Sequence, residues 1–138
     1  EYVAEGFDPW ISSAPAQIVL CVDRNAYLGR YSEPDKAGAD GEPSTESDWP
    51  VPYWWVDAGA SLMAMLMAAV DEGLAAGFLG AHAIETLADV LAIPVDVDVV
   101  GVLTIGSPRS DRRSASLVRG WRDRDSVVFY DEWRSGSA

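Results

Sequence analysis

Apolar residues follow one another from Ile18 to Val22, behind Pro15 and ahead of Asp23. A short β-branched run of this kind predicts a largely buried strand over 16–22. From 23 to 53 no period holds. Pro34, Gly38, Gly41, Pro43, Pro50 and Pro52 stand among acidic residues there, which predicts a long loop. Tyr27, Tyr31, Trp49, Tyr53, Trp54 and Trp55 lie in this stretch or at its end. Disordered chain carries fewer aromatics, so a variable lid or pocket wall is expected over 23–55.

The clearest helix is predicted over 56–72. Ala58, Leu62, Met65 and Ala69 mark one face, Asp57 sits near the amino end, and Gly73 follows as a stop. Leu66, Met67 and Val70 are apolar as well, so the helix needs cover on every side. In a small domain that favours a central helix shared with a second subunit, with burial in the monomer core as the alternative. Further on, 75–80 predicts a short glycine-rich extended segment, 83–91 a helix, 98–105 a second strong strand and 127–130 a short strand. The order of elements is that of an α+β or mixed α/β domain, one unit over 1–138.

Composition narrows the chemistry. The 138 residues carry 22 acids and 10 bases, for a net charge of −12. Such a chain is a poor partner for nucleic acid or anionic lipid. The uncharged apolar run from Ala58 to Val70 is short for a membrane span. One cysteine, Cys21, and one histidine, His82, leave little from which to build a disulfide, a zinc site or a Ser-His-Asp triad. Cys21 within an apolar strand is expected to be buried and inert, and His82 to be a hydrogen-bonded structural residue. No catalytic side chain and no metal ligand is assigned. A domain of this kind borrows its reactivity from a cofactor or has none.

Two local signals remain. No Lys or Arg occurs between residues 37 and 108, whereas seven arginines follow it, among them Arg109, Arg112, Arg113, Arg119, Arg122 and Arg124. Guanidinium groups suit bidentate phosphate recognition, although the interleaved Asp111, Asp123 and Asp125 offer simple ion pairing instead. In Gly77-Phe78-Leu79-Gly80, a glycine at each end lets backbone N–H groups approach a flat ligand; a tight edge strand is the plainer reading. No GxGxxG or GxxxxGK[ST] fingerprint is present.

Taken in order, the Ala14-Pro15 entry to a strand, the Ala68-Ala69-Val70-Asp71-Glu72-Gly73-Leu74 helix ending, Phe78-Leu79-Gly80, Leu91-Ala92-Ile93-Pro94, and Ile105-Gly106-Ser107-Pro108 resemble the carboxyl-terminal two-thirds of the nitroreductase family of FMN-dependent oxidoreductases. The resemblance implies a nitroreductase-like mixed sheet flanked by helices, with Gly77, Phe78, Leu79 and Gly80 against the flavin ring. It implies Arg119, and secondarily Arg122 and Arg113, on the FMN phosphate. Tyr31, Lys36, Trp54 and Trp55 become candidate substrate-pocket walls, the helix over 56–72 a homodimer interface, and 127–130 a strand exchanged with the partner. The activity implied is NAD(P)H-driven, ping-pong reduction of nitroaromatics, quinones or similar electron-poor acceptors in the cytoplasm. The Arg-x-Ser-x-Arg motif with which family members begin has no counterpart here, so the amino-terminal helices are expected to be missing. The alternative is a flavin-binding or partner subunit without independent turnover.

Overall fold

The computed structural model describes residues 10–36, 44–110 and 115–133. The chain divides into two compact units, Glu1–Pro108 and Arg109–Ala138, and each is described by itself. The first unit is α+β, as the order of its elements predicted. A short helix α1 (Trp10–Ser13) leads to strand β1 (Ala16–Asp23), helix α2 (Arg24–Tyr31), the long helix α3 (Tyr53–Asp71), strand β2 (Ala75–Gly80), a single turn α4 (Leu87–Val90) and strand β3 (Val97–Gly106).

The strands form one sheet in the order β1-β3-β2, antiparallel at both pairings. β3 is the central strand and the best buried, from Gly101 to Thr104. Its register against β1 slips at Leu20/Cys21: Leu20 pairs with Gly101 and Cys21 with Val99, which leaves Val100 without a counterpart. An extra residue reverses the alternation of side chains. Val99 and Val102 therefore share one hydrophobic cluster, with Ile11, Leu79, Ile84 and Leu87, while Val100 joins the other, with Val22, Trp54 and Ala58.

Helix α3 ends as its sequence predicted. Gly73 adopts φ +73°, the N–H of Leu74 reaches the carbonyl of Ala69 at 2.8 Å, and that of Gly73 reaches Val70 at 3.0 Å. This is a Schellman closure, which needs a left-handed residue at Gly73. Ala58, Leu62, Met65 and Ala69 do face the fold, joined by Trp54 at the start of the stripe. The opposite side is bare: Val56, Met63, Met67 and Val70 are 51–65% exposed. Burial within the monomer core, the alternative for this helix, is thus ruled out. At 19 residues and mean hydropathy 1.3, α3 is long and apolar enough to cross a membrane by those measures alone. Its inner side packs on the sheet, and Asp57 lies in its second turn, a position a bilayer interior penalises.

Several expectations are corrected. β1 is an edge strand in which only Val22 is buried, and Cys21 is exposed. Edge position, which composition cannot report, is the cause. The stretch from 23 to 53 is no continuous loop, because α2 occupies its first part and Glu46–Asp48 forms a 3-10 turn. Asp23 caps α2 by accepting from the N–H of Ala26 at 2.9 Å. The helix expected over 83–91 shrinks to α4, because Ile84 turns out of helical geometry (φ −142°, ψ 61°), and both Ile84 and Leu87 reach the core. In the second unit 127–130 joins no sheet among the described residues; Val127 closes a 3-10 turn (Arg124–Ser126), and a strand needs a neighbour to pair with.

Candidate functional site

The glycine-rich segment is the strand β2, and it lies at the sheet edge. β3 covers one side of β2, so alternate main-chain groups on the other side face away from the ladder. The buried Thr104 hydroxyl donates to the Gly77 carbonyl at 3.2 Å and steadies the strand from behind. Leu79 points into the core, and Phe78 is half-buried. At Gly80, which has no side chain of its own, a Cβ would come within 2.9 Å of Nδ1 of the neighbouring His82 ring. His82 itself is exposed and makes no side-chain hydrogen bond among the described residues, which corrects its expected structural role.

The candidate pocket-wall residues fall into an aromatic chain and an outlier. Tyr27 stands at its centre, with ring centroids 4.9 Å from Tyr31, 5.4 Å from Trp49 and 5.7 Å from Trp54. Trp49 adds contacts to Tyr31 at 4.7 Å and Tyr53 at 5.9 Å. A polar clasp holds Trp49 there. Its indole N–H donates to Ser44 Oγ, the Ser44 N–H donates to Ser32 Oγ, and the Ser32 hydroxyl donates to the Leu28 carbonyl, each at 2.8 Å. Lys36 places its ammonium 6.0 Å above the Tyr31 ring, a cation–π distance. Trp54 is 4% exposed and serves the core, whereas Trp55 projects from the other side of α3 at 41%. Tyr31, Lys36 and Trp54 thus belong to one neighbourhood, reached through Tyr27, and Trp55 does not.

Sequence reasoning passed over a cleft of about 220 Å³ beside this chain of rings. The end of β1 (Leu20–Asp23), Tyr27, and the Trp54, Asp57, Ala58 and Ser61 side of α3 line it. The only available signal was the spacing of Trp54, Asp57 and Ser61 along one helical face. The Tyr27 phenol is pushed up to about 12, first by desolvation, then by its hydrogen bond and proximity to Tyr31, with the Asp57 charge adding to the shift. Partial desolvation raises the exposed Cys21 thiol as well, which makes it a poor nucleophile.

The second unit holds the phosphate candidates. Arg119 ends a 3-10 turn (Ala115–Arg119), Gly120 follows at φ +75°, and Arg119 and Arg122 are both exposed. Neither forms an ion pair among the described residues. The Asp123 carboxylate instead accepts from the Asp125 N–H at 3.3 Å, and Arg124 donates to the Tyr130 hydroxyl at 2.9 Å. Arg113 and Arg112 lie outside the described residues. No group of three or more His, Cys, Asp or Glu suited to a metal ion occurs among the described residues.

With this geometry in place, comparison with known proteins gives a consistent answer. Curated protein sequences yield no match. Among solved structures, NfrA1 of B. megaterium superposes with a TM-score of 0.65 at 19% identity, covering 94% of this chain and 50% of that one. A nitroreductase family protein from Streptococcus pneumoniae TIGR4 gives 0.57 at 17% identity, over 86% of this chain and 66% of that one. NfrA2 of B. megaterium gives 0.57 at 24%, over 88% and 52%. At these identities the likeness carries the fold, and the chain spans about half to two-thirds of the length of these relatives. The model of the nitroreductase family matches residues 2–107, a range that takes in all three strands and α3. The chain belongs to the nitroreductase family.

Proposed function

We propose that this chain forms part of an FMN-dependent oxidoreductase of the nitroreductase type, with NAD(P)H as donor and a nitroaromatic, a quinone or another electron-poor acceptor as substrate. The observation that carries the reading is the end of β2, where Gly77 and Gly80 leave main chain without side chains of its own at an open sheet edge, beside the exposed His82 ring. A planar ring can approach such an edge to hydrogen-bond distance, which side chains would prevent. The residues present fit the ring portion of FMN on that ground. Arg119 and Arg122, with guanidinium groups not engaged by carboxylates among the described residues, fit its phosphate, although they stand beyond the family-matched range.

When bound, the flavin supplies the two-electron chemistry that no side chain here provides. The protein's work is positional. Gly77–Gly80 would offer main-chain donors, Arg119, Arg122 and Arg113 would anchor the phosphate, and the segment over 23–55 with Tyr31 and Lys36 would shape the acceptor side. Donor and acceptor would use one ring face in turn, in ping-pong order. The bare face of α3 supports a homodimer, with 127–130 reaching across to the partner. The net charge of −12 favours neither nucleic acid nor anionic lipid as a partner.

Titration of the full chain with FMN, followed by flavin absorbance and fluorescence, tests the reading. Saturable binding together with NAD(P)H oxidation in the presence of a nitroaromatic supports it, and a chain indifferent to FMN refutes it. A second reading is a flavin-binding subunit without turnover of its own. FMN binding without NAD(P)H oxidation would select it.

A further inference from the structure

From Leu74 to Ile84 every side chain but one is apolar or absent, and the exception is His82, the sole histidine of the chain. It stands in the 3-10 turn Ala81–Ala83, directly after β2. The Ile84 N–H closes this turn on the Ala81 carbonyl at 2.9 Å, and Leu79 before it and Ile84 after it are buried in one core cluster. Anchored on both sides, the exposed imidazole is presented from fixed backbone. Its ring lies against the strand. From the place that a Gly80 Cβ would take, Nδ1 is 2.9 Å and Cε1 3.0 Å away, and no other ring atom comes within 4 Å. The imidazole therefore meets Gly80 edge-on, with Nε2 on the side away from that contact. Gly101 pairs with Gly80 across the ladder, and the Phe78 ring fills the space over it, 2.6 Å from its Cβ position. Two rings thus rest on a pair of glycines at the open end of the edge strand. Phe78 has no polar side-chain atom. Both nitrogens of His82 are without a hydrogen bond or ion pair among the described residues, and a neutral imidazole offers one donor and one acceptor.

We propose that His82 is the ring-contacting side chain of the flavin site, its Nε2–H donating a hydrogen bond to an acceptor atom on the rim of the heterocycle. The main chain of Gly77–Gly80 takes another part of that rim. The inference rests on the flavin reading and deepens it. Hydrogen bonds to the ring atoms tune a flavin's electronics, and from Leu74 to Ile84 only His82 can supply one from a side chain.

Proton NMR of the full, untagged chain tests this, because a single histidine gives a single imidazole Hε1 signal. Riboflavin and FMN, which share the ring and differ by the phosphate, are titrated separately while flavin fluorescence reads the binding. With both, the Hε1 signal should shift along the fluorescence binding curve. His82→Ala should weaken both flavins by the same factor, about two- to tenfold, the scale of one hydrogen bond. His82→Gln, whose amide N–H stands near the Nε2 position, should recover most of that loss, which a purely space-filling role would not allow. Circular dichroism checks that both variants are folded. Flavin binding with an unmoved Hε1 signal, unchanged affinity in His82→Ala, a His82→Gln chain as weak as His82→Ala, or a loss confined to FMN would each overturn the inference and leave the flavin reading standing. A chain that binds neither flavin would overturn both.

Discussion

Gly80 stands opposite Gly101 across the β2–β3 ladder, and a Cβ at either position would meet a neighbour. A Cβ on Gly101 would collide with the Leu79 carbonyl oxygen and come within 2.6 Å of the Phe78 ring, just as one on Gly80 would meet His82. The close approach lets β2 lie tightly on the central strand at the point where the proposed ring site begins. Gly101→Ala should therefore destabilise the fold by about 1–3 kcal/mol, as overpacking does. Chemical denaturation would measure this, and an unchanged midpoint would show that Phe78 yields freely.

Leu103 is fully buried on the central strand. Leu103→Ala should cost about 2–5 kcal/mol through lost transfer energy and a cavity. Trp54→Ala should fall at the upper end of that range, since it removes a buried ring that Tyr27 packs against. Thermal and denaturant unfolding would rank the two.

How much of this was legible in the sequence varies with the physics behind each element. β2, β3 and the carboxyl end of α3 were readable because apolar period and a single glycine act locally. α2 was not. Arg24–Tyr31 shows no apolar stripe, and its tyrosines, which touch each other, are covered by Trp49 and Trp54, far along the chain. The visible hints were Asp23 as a cap and Arg30 in the last turn. The shallow placement of Cys21 depended on strand order, which no local pattern encodes. For the site, the edge glycines were visible as residues, while the cleft beside Tyr27 needed three elements to come together. The roles of Arg119 and Arg122 rest on family resemblance, because the spacing of arginines alone does not separate phosphate binding from ion pairing.

Loss of the phosphate anchor provides a direct test of the second unit. Arg119→Ala should weaken FMN about ten- to a hundredfold, the scale of a charge-assisted hydrogen bond, without moving the unfolding midpoint. Fluorescence titration would measure it, and retention equal to the parent chain would place the phosphate elsewhere.

The outward face of α3 gives a further test. Met67 is 62% exposed, so Met67→Glu should be tolerated by the protomer and should disrupt a homodimer built on that face. Sedimentation would show a halved mass, whereas an unaltered assembly would exclude α3 from the contact.

Two carboxylates set an acid limit for the segment around α2. The Arg30 guanidinium holds Asp35 below the ordinary 3.8, through their hydrogen bond first. Asp48 is likewise lowered from 3.8, chiefly by the Thr45 N–H and then by its hydroxyl. A carboxyl depressed in the folded state stabilises it above the ordinary value, and that contribution is lost as pH falls through the lower, folded one. NMR titration should place both midpoints below 3.8. Arg30→Ala should raise the Asp35 midpoint and leave Asp48 where it was.

The two-faced character of α3 also bears on how the protein is to be handled. A species that seals the outer stripe engages the folded chain alone, and by mass action it raises the melting temperature as its concentration rises. A single melting temperature then describes this protein only together with the dilution at which it was recorded.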